Sequence, residues 1–161
     1  MPGTISPQLR KYLRHAHGME LQGLRLDQRA GLGAGHPQLE RIYRAHVPET
    51  RRHERLARER LAVYGDKPST AFDLAAQAGG LGIGLAASVV PDTPTAIAIV
   101  AYAFESLEIV VWETIKRVAV RAGDTDTVAA AESILAEERR ARDAVAEHLD
   151  LAVDGTLARV A

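Results

Sequence analysis

Apolar residues recur every three or four positions along most of the chain, which is the spacing of amphipathic helices. Abundant Ala, Leu, Glu and Arg, with few runs of Val, Ile or Thr, also favour helix over strand. The pattern predicts four long helices over residues 6–31, 38–64, 94–121 and 125–151. A short flexible tail over residues 154–161 is expected to follow, without a fifth helix.

Glycine and proline mark the ends of these predicted helices. The segment 31–37 supplies C-cap glycines followed by a proline, and the segment 65–68 stops the second helix in the same way. Thr93 is predicted as the N-cap of the third helix, with Pro94 at its first position. The result is two antiparallel helical hairpins.

The link between the hairpins is about 28 residues long, enough to travel the roughly 40 Å length of one long helix. We therefore expect an all-α four-helix bundle with one long crossover that contains one or two short helices. The second and third long helices should run parallel. Residues 1–161 are expected to form a single domain, with the bundle over about 6–152.

Composition excludes several classes of protein. The chain has 161 residues, 47% of them apolar and 25% charged, which is ordinary for a globular domain with a core. A formal net charge of -1 argues against nucleic-acid binding. The absence of cysteine excludes disulfides and thiolate sites. Since neither a secretory signal nor an uninterrupted apolar span is recognisable, we expect a cytoplasmic protein without membrane contact.

An acidic residue interrupts the apolar stripe of every predicted helix, near its midpoint. In an antiparallel bundle these carboxylates would meet at one level. Burying several unpaired carboxylates costs several kcal/mol each, so the arrangement calls for bound cations or shared protons. The residues concerned are Glu20, Glu49, Glu105, Glu108 and Glu138.

A dimetal site resolves the conflict, and oxygen ligands with imidazole suit two iron or manganese ions, with zinc as an alternative. His46 and His53 lie three residues before and four residues after Glu49, on roughly the same helix face. Both are candidate ligands, although each could instead orient a carboxylate or be a satisfied core histidine. His17, three residues before Glu20, leaves the same choice open.

Two other functions stay open at this point. The bundle could be metal-free and act as a structural or interaction protein, with its carboxylates protonated, hydrated or paired with arginines such as Arg142. Alternatively, the glycine-rich crossover and the apolar first half of the third helix could enclose a lipid or another small ligand. For any single glutamate, an exposed position is the simpler interpretation. Five glutamates at the same depth on four helices favour a metal site instead.

A resemblance to a known family is carried by the segments 17–20, 46–53, 102–109 and 132–138, by Asp143 and by the turn 65–70, and it covers about Leu13 to Leu149. In these segments the chain resembles the ferritin-like stress-response proteins of the YciE/YciF type. The resemblance implies a ferritin-like four-helix bundle, often dimeric, with a carboxylate dimetal centre and a role in bacterial stress responses.

Three positions depart from the family's pattern: Pro48 and Arg139 stand where the family has an acid, and Ser106 stands where it has histidine. Each reduces the supply of ligands, and Pro48 removes a helix hydrogen bond and could kink the second helix.

The hypothesis is a homodimeric dimetal protein with Glu20 and Glu105 as terminal ligands and Glu49 and Glu138 as bridges. Glu108 would complete the ligand set. Open coordination positions would admit dioxygen or peroxide for Fe(II) oxidation. The uncharged surface of the glycine-rich crossover also favours a dimer.

Overall fold

A computed structural model describes residues 2–68 and 93–159, with side chains from residue 7 onward. Within these ranges the chain is helical and contains no strand, so the all-α prediction is confirmed. The described helices are α1 (Pro2–Gly33), α2 (Pro37–Val63), α3 (Pro94–Ala122), α4 (Thr125–Glu147) and α5 (Leu149–Leu157). The predicted short helices of the crossover lie outside the described residues.

Local hydrogen bonds explain where the long helices begin. Thr93 is extended and its hydroxyl accepts from the Ala96 amide at 3.3 Å, with Pro94 as the first helical residue. Asp124 caps α4 by accepting from the Thr127 amide at 3.0 Å. Between them Gly123 ends α3 at φ 73°, a left-handed conformation that glycine adopts without strain. These boundaries match the sequence prediction.

The core consists of two apolar clusters, one at each end of the bundle. The first joins the beginnings of α1 and α4 to the ends of α2 and α3, around Trp112. The second joins the end of α1 and the beginnings of α2 and α3 to the end of α4 and to α5, around Tyr43. Since the beginnings of α2 and α3 share one end, these helices run parallel, as predicted.

The buried face of α2 is rotated from the predicted stripe. An apolar stripe at helical spacing around Glu49 would include Ala45 and Val63, but both are exposed. The face that packs inward is largely polar, and it consists of Leu39, Tyr43, His46, Thr50, His53, Ala57 and Leu61. The helix continues through Pro48, which is itself exposed. Because polar residues occupy so much of the inner face, apolar spacing alone indicated the wrong phase.

The end of the chain also differs from the prediction. Helix α4 ends at Glu147, and a separate helix α5 covers residues that were expected to form a tail. Ala152 of α5 is fully buried, and Thr156 accepts from the Thr95 amide at 3.0 Å. These contacts with α3 hold residues 149–157 in place. The expectation that no fifth helix follows was therefore wrong.

Helix α3 is the most apolar of the described helices. Over an 18-residue window its mean hydropathy is 1.6, and 44% of that window is buried inside the bundle. By length and composition alone, the helix could cross a membrane. A core helix of a water-soluble protein has the same composition. The same helix carries two of the buried acids described next.

Candidate metal centre

Between the two apolar clusters, six of the predicted site residues converge from four helices. Glu20 lies on α1, His46 and His53 on α2, Glu105 and Glu108 on α3, and Glu138 on α4. All six are at least 95% buried. The seventh, Glu49, is half-buried and lies outside this group, because the inner face of α2 is rotated.

One half of the cluster surrounds His53, whose side chain is fully buried. Its Nδ1 lies 2.6 Å from Glu138 Oε1 and 3.5 Å from Glu20 Oε2. The Trp112 indole donates to Glu20 Oε1 at 2.6 Å, which fixes one oxygen of that carboxylate and leaves the other facing the histidine. Glu20, His53 and Glu138 form one group that could hold a metal ion.

The other half surrounds His46, 6.0 Å from His53 between ring centres. Its Nε2 lies 3.3 Å from Glu105 Oε2 and 3.3 Å from Glu138 Oε2. Asp27, two turns after Glu20 on α1, completes a second group with His46 and Glu105. The Thr50 hydroxyl lies 3.1 Å from Asp27 Oδ2 and donates to it.

Glu138 joins the two halves, because one of its oxygens faces His53 and the other faces His46. Together with Glu105 and Glu108 it forms a third group whose ligand atoms lie within 4.8 Å of one another. Gly23 of α1 makes room for Glu108: a Cβ there would lie 3.0 Å from Glu108 Oε1. A larger residue at position 23 would push this carboxylate aside.

Burial and mutual repulsion raise the pKa of most acids of the cluster. Burial acts in the same direction on Glu138, but its hydrogen bonds with Glu105, His46 and His53 outweigh it and lower the pKa of this carboxyl. Burial raises the pKa of Glu108 well above its usual range, and the Glu138 and Glu20 carboxylates add to this effect. Burial likewise raises the pKa of Glu20 and of Glu105, and it raises that of Asp27 to about 6. Without a cation, burial and the neighbouring carboxylates therefore favour the protonated form of these acids.

The pKa values of the two histidines are raised, whereas burial in apolar surroundings lowers the pKa of a base. Burial alone would lower the pKa of His46, but the facing Glu105 and Glu138 carboxylates outweigh it and raise the value to about 12. The same opposition raises the pKa of His53 to about 10, through Glu138 and Glu20. The carboxylates of the cluster therefore stabilise a positive charge placed beside them.

The chemistry of the donor set fits metal ions. Ten buried side-chain nitrogen and oxygen atoms of the described residues make no well-oriented hydrogen bond, and seven of them belong to this cluster. The three others belong to Arg10, Arg14 and Tyr43. Orphaned buried polar atoms are rare and costly, and here they converge as ligand atoms would. The seven are Glu20 Oε2, His46 Nε2, His53 Nδ1, Glu105 Oε2, Glu108 Oε1 and both oxygens of Glu138.

Other sequence candidates lie elsewhere. His17 is buried but belongs to none of the three groups; its Nε2 lies 2.9 Å from Glu54 Oε1. Ser106 donates to the Tyr102 carbonyl oxygen on its own helix at 2.7 Å. Arg142 pairs with its neighbour Asp143 rather than with a cluster acid.

Arg139, the remaining departure from the family pattern, pairs with Glu113 at 2.7 Å near the surface. Arg139 is exposed, and its partner Glu113 is not an acid of the cluster.

Sequence reasoning missed Asp27, Trp112 and Glu137, which contacts His53 from outside. Asp27 follows Glu20 by seven residues and Trp112 follows Glu105 by seven, so two helical turns place each on the inner face. This spacing was a usable signal. Glu137 had none, because a residue adjacent to Glu138 normally points away from its partners.

Fold and site together define an all-α helical bundle protein with a buried carboxylate and histidine cluster suited to metal ions. The chain belongs to the family described as Domain of unknown function DUF892, whose model matches residues 5–158. No curated protein matches it with significant similarity.

Two solved structures share the fold. A crystal structure of a protein from Xanthomonas campestris pv. campestris is 25% identical, with a TM-score of 0.80 and 97% of each chain covered. YcfI from Rhodopseudomonas palustris, described as a supposed structural protein, is 24% identical with a TM-score of 0.69, covering 88% of this chain and 92% of its own.

Proposed function

We propose that this chain is a ferritin-like dimetal protein of the YciE/YciF type that holds two iron or manganese ions, with zinc as an alternative. The convergence of seven buried ligand atoms from four helices, none of which makes a well-oriented hydrogen bond, carries the proposal. Surface glutamates do not account for it, because the acids concerned are at least 97% buried. Apolar residues in place of such a cluster would often stabilise the fold, so selection for stability alone does not explain the buried acids.

The groups of facing ligand atoms suggest how the ions would be shared. One ion would be held by Glu20, His53 and Glu138, and the other by Asp27, His46 and Glu105. Glu138 would contribute to both, with Glu108 beside it. In this assignment Asp27 and the histidines take the place of Glu49, which was predicted to be a bridging ligand.

A bound iron pair would supply redox chemistry toward dioxygen or peroxide, including Fe(II) oxidation. The chain's own residues prepare the site for it. The apolar clusters around Trp112 and Tyr43 keep water away on both sides. The Trp112 indole holds Glu20 in one orientation, so that little reorganisation is needed when a cation binds.

A metal-free structural or interaction role is the alternative, and the description of YcfI favours it. In that case the raised pKa values of Glu20, Glu105 and Glu108 would reflect acids that remain protonated in the working protein. A lipid or small-ligand function would depend on the crossover, which lies outside the described residues.

Metal analysis separates these functions. Protein purified without chelator should carry about two first-row metal ions per chain, and Mn(II) or Fe(II) titration under argon should saturate at the same ratio. Glu138→Gln should reduce this ratio, while Glu132→Gln, at an exposed position on the same helix, should not. A parent chain that binds no metal at millimolar concentration would leave the structural role as the better explanation.

We also propose that the protein is a cytoplasmic homodimer that acts in bacterial stress response. Exposed apolar side chains on α3 support association: Ile99 is 60% exposed and Val110 is 62% exposed. Light scattering at high micromolar concentration tests the dimer, and a strict monomer would contradict it.

A further inference from the structure

Each histidine of the cluster has its outward ring nitrogen bound to a carboxylate outside the cluster. His46 Nδ1 lies 2.9 Å from Glu49 Oε2, and His53 Nε2 lies 2.7 Å from Glu137 Oε2. The inward nitrogens, Nε2 of His46 and Nδ1 of His53, are the ones that face the buried acids. The two rings therefore present different nitrogen atoms to the site.

An arginine from the facing helix holds each outer carboxylate. Arg140 of α4 lies 3.1 Å from Glu49 of α2, and Arg52 of α2 lies 2.6 Å from Glu137 of α4. The two arrangements are reciprocal, since each helix supplies the glutamate of one and the arginine of the other. They brace α2 against α4 on either side of the cluster.

A neutral imidazole has one N–H donor and one lone pair, and an ionised carboxylate can only accept. The nitrogen that faces Glu49 or Glu137 must therefore carry the proton. The lone pair is then on the inward nitrogen, where a metal ion needs it. Without the outer carboxylate, the ring could rotate or place its proton on the inward nitrogen.

We propose that Glu49 and Glu137 are positioning residues that direct Nε2 of His46 and Nδ1 of His53 toward the metal ions. This inference rests on the proposed dimetal function. It gives Glu49 a role outside the ligand set that the sequence suggested for it. It also explains why His46 and Glu49 occur three residues apart although only one of them faces the core.

The two positioning residues differ in their surroundings. The Glu137 side chain is 18% exposed and its Arg52 partner 31%, whereas Glu49 is 33% exposed and Arg140 62%. Water can replace a lost carboxylate more easily at the exposed position. Removal of Glu137 should therefore weaken metal binding more than removal of Glu49.

The test uses Zn(II), which is diamagnetic, with the full chain labelled with 15N at histidine. Long-range 1H–15N NMR spectra distinguish the metal-bound nitrogen of each ring from the protonated one. The parent chain should show Nε2 ligation at His46 and Nδ1 ligation at His53. The reverse pattern at either ring would overturn the proposal for that ring, whatever the affinity.

Affinity for Zn(II) is measured by competition with a chelating dye for the parent chain and for Glu49→Ala and Glu137→Ala. Loss of an outer hydrogen-bond partner should weaken binding about 10- to 100-fold. The conservative variants Glu49→Gln and Glu137→Gln should recover most of the affinity, because the amide oxygen still accepts from the ring N–H. If an alanine variant fails to fold, the NMR pattern of the parent chain still tests the proposal for that ring.

Glu54→Ala is the matched control. Glu54 makes the same kind of contact, since it pairs with buried His17 at 2.9 Å and with Arg58 at 3.3 Å. His17 belongs to none of the ligand groups, so this variant should bind Zn(II) like the parent. A merely structural role for the outer pairs would make all three alanine variants behave alike.

The outcomes separate this inference from the proposed function. If the parent binds two Zn(II) ions but Glu49→Ala and Glu137→Ala match Glu54→Ala in affinity and spectra, the positioning role is wrong and the dimetal function stands. If the parent binds no metal, the dimetal function fails, and the positioning role fails with it.

Discussion

Two polar clusters in this bundle each contain carboxylates that are shielded from water, but they differ in the hydrogen-bond donors that the fold supplies to those carboxylates. At the end of the bundle, Asp124 accepts from Arg60 at 2.8 Å, from the Tyr64 hydroxyl at 2.6 Å and from the Thr127 amide at 3.0 Å. In the central cluster, Glu108 Oε1 has no hydrogen-bond partner among the described residues.

The pKa values express the same contrast. Burial would raise the pKa of Asp124, but hydrogen bonds from Thr127, Tyr64 and Arg60 outweigh it and lower the value to about 2. At Glu108 burial acts without such donors, and the pKa rises well above its usual range. Donors supplied by the fold make the first cluster a source of stability. Glu108 lacks such donors, which indicates that its partner comes from outside the chain.

The largest expected effect is stabilisation by metal. At a free metal concentration about 1,000 times Kd, binding should raise the free energy of unfolding by about 4 kcal/mol. Thermal melts of chelator-treated and Mn(II)-loaded protein measure this. Asp124→Asn should show the same metal-dependent rise as the parent, because Asp124 lies in the other cluster; a smaller rise would mean that the clusters are coupled.

Removal of the Asp124 carboxylate should be strongly destabilising. Asp124→Ala leaves Arg60 and Tyr64 without their acceptor and removes the cap of α4, so we expect a loss of about 2–3 kcal/mol in urea unfolding. Asp126→Ala is the control, since Asp126 is 80% exposed and only reaches Arg60 at 3.5 Å. Equal effects of the two substitutions would show that the hydrogen bonds to Asp124 do not stabilise the fold.

The contribution of Asp124 should depend on pH in a defined direction. Its folded pKa, about 2, lies below the ordinary value of 3.8, so the folded state binds the proton more weakly than the unfolded state. The stabilisation is therefore complete above about pH 4 and is lost as the pH falls toward 2. The difference in unfolding free energy between the parent and Asp124→Asn should shrink from pH 7 to pH 3; a constant difference would contradict this.

Removal of a central acid should have a smaller effect, of opposite sign, on the metal-free protein. Glu108→Leu relieves burial and repulsion, so apo stability should stay unchanged or rise by about 1 kcal/mol, while the metal-dependent rise is lost. Glu59→Leu, at an exposed position on α2, should change neither quantity by more than about 0.5 kcal/mol. Destabilisation of the apo protein by Glu108→Leu would show that this carboxylate is satisfied.

The sequence by itself determined the helical class, the antiparallel hairpins and the boundaries at Thr93 and Gly123. Capping residues and glycine act through bonds within one turn, so their effect can be read locally. It also predicted that the acids Glu20, Glu105, Glu108 and Glu138 lie at the same depth along the bundle axis, because mid-helix positions meet in any antiparallel bundle.

Only the tertiary structure decided which face of α2 turns inward. Tyr43, His46, Thr50 and His53 lie inside while apolar Val63 lies outside, so hydrophobic periodicity could not fix the rotation of this helix. That rotation moved Glu49 out of the cluster and onto the outer nitrogen of His46. The same packing brought Glu137 of α4 to His53, since contacts between helices far apart in sequence depend on how the whole bundle closes.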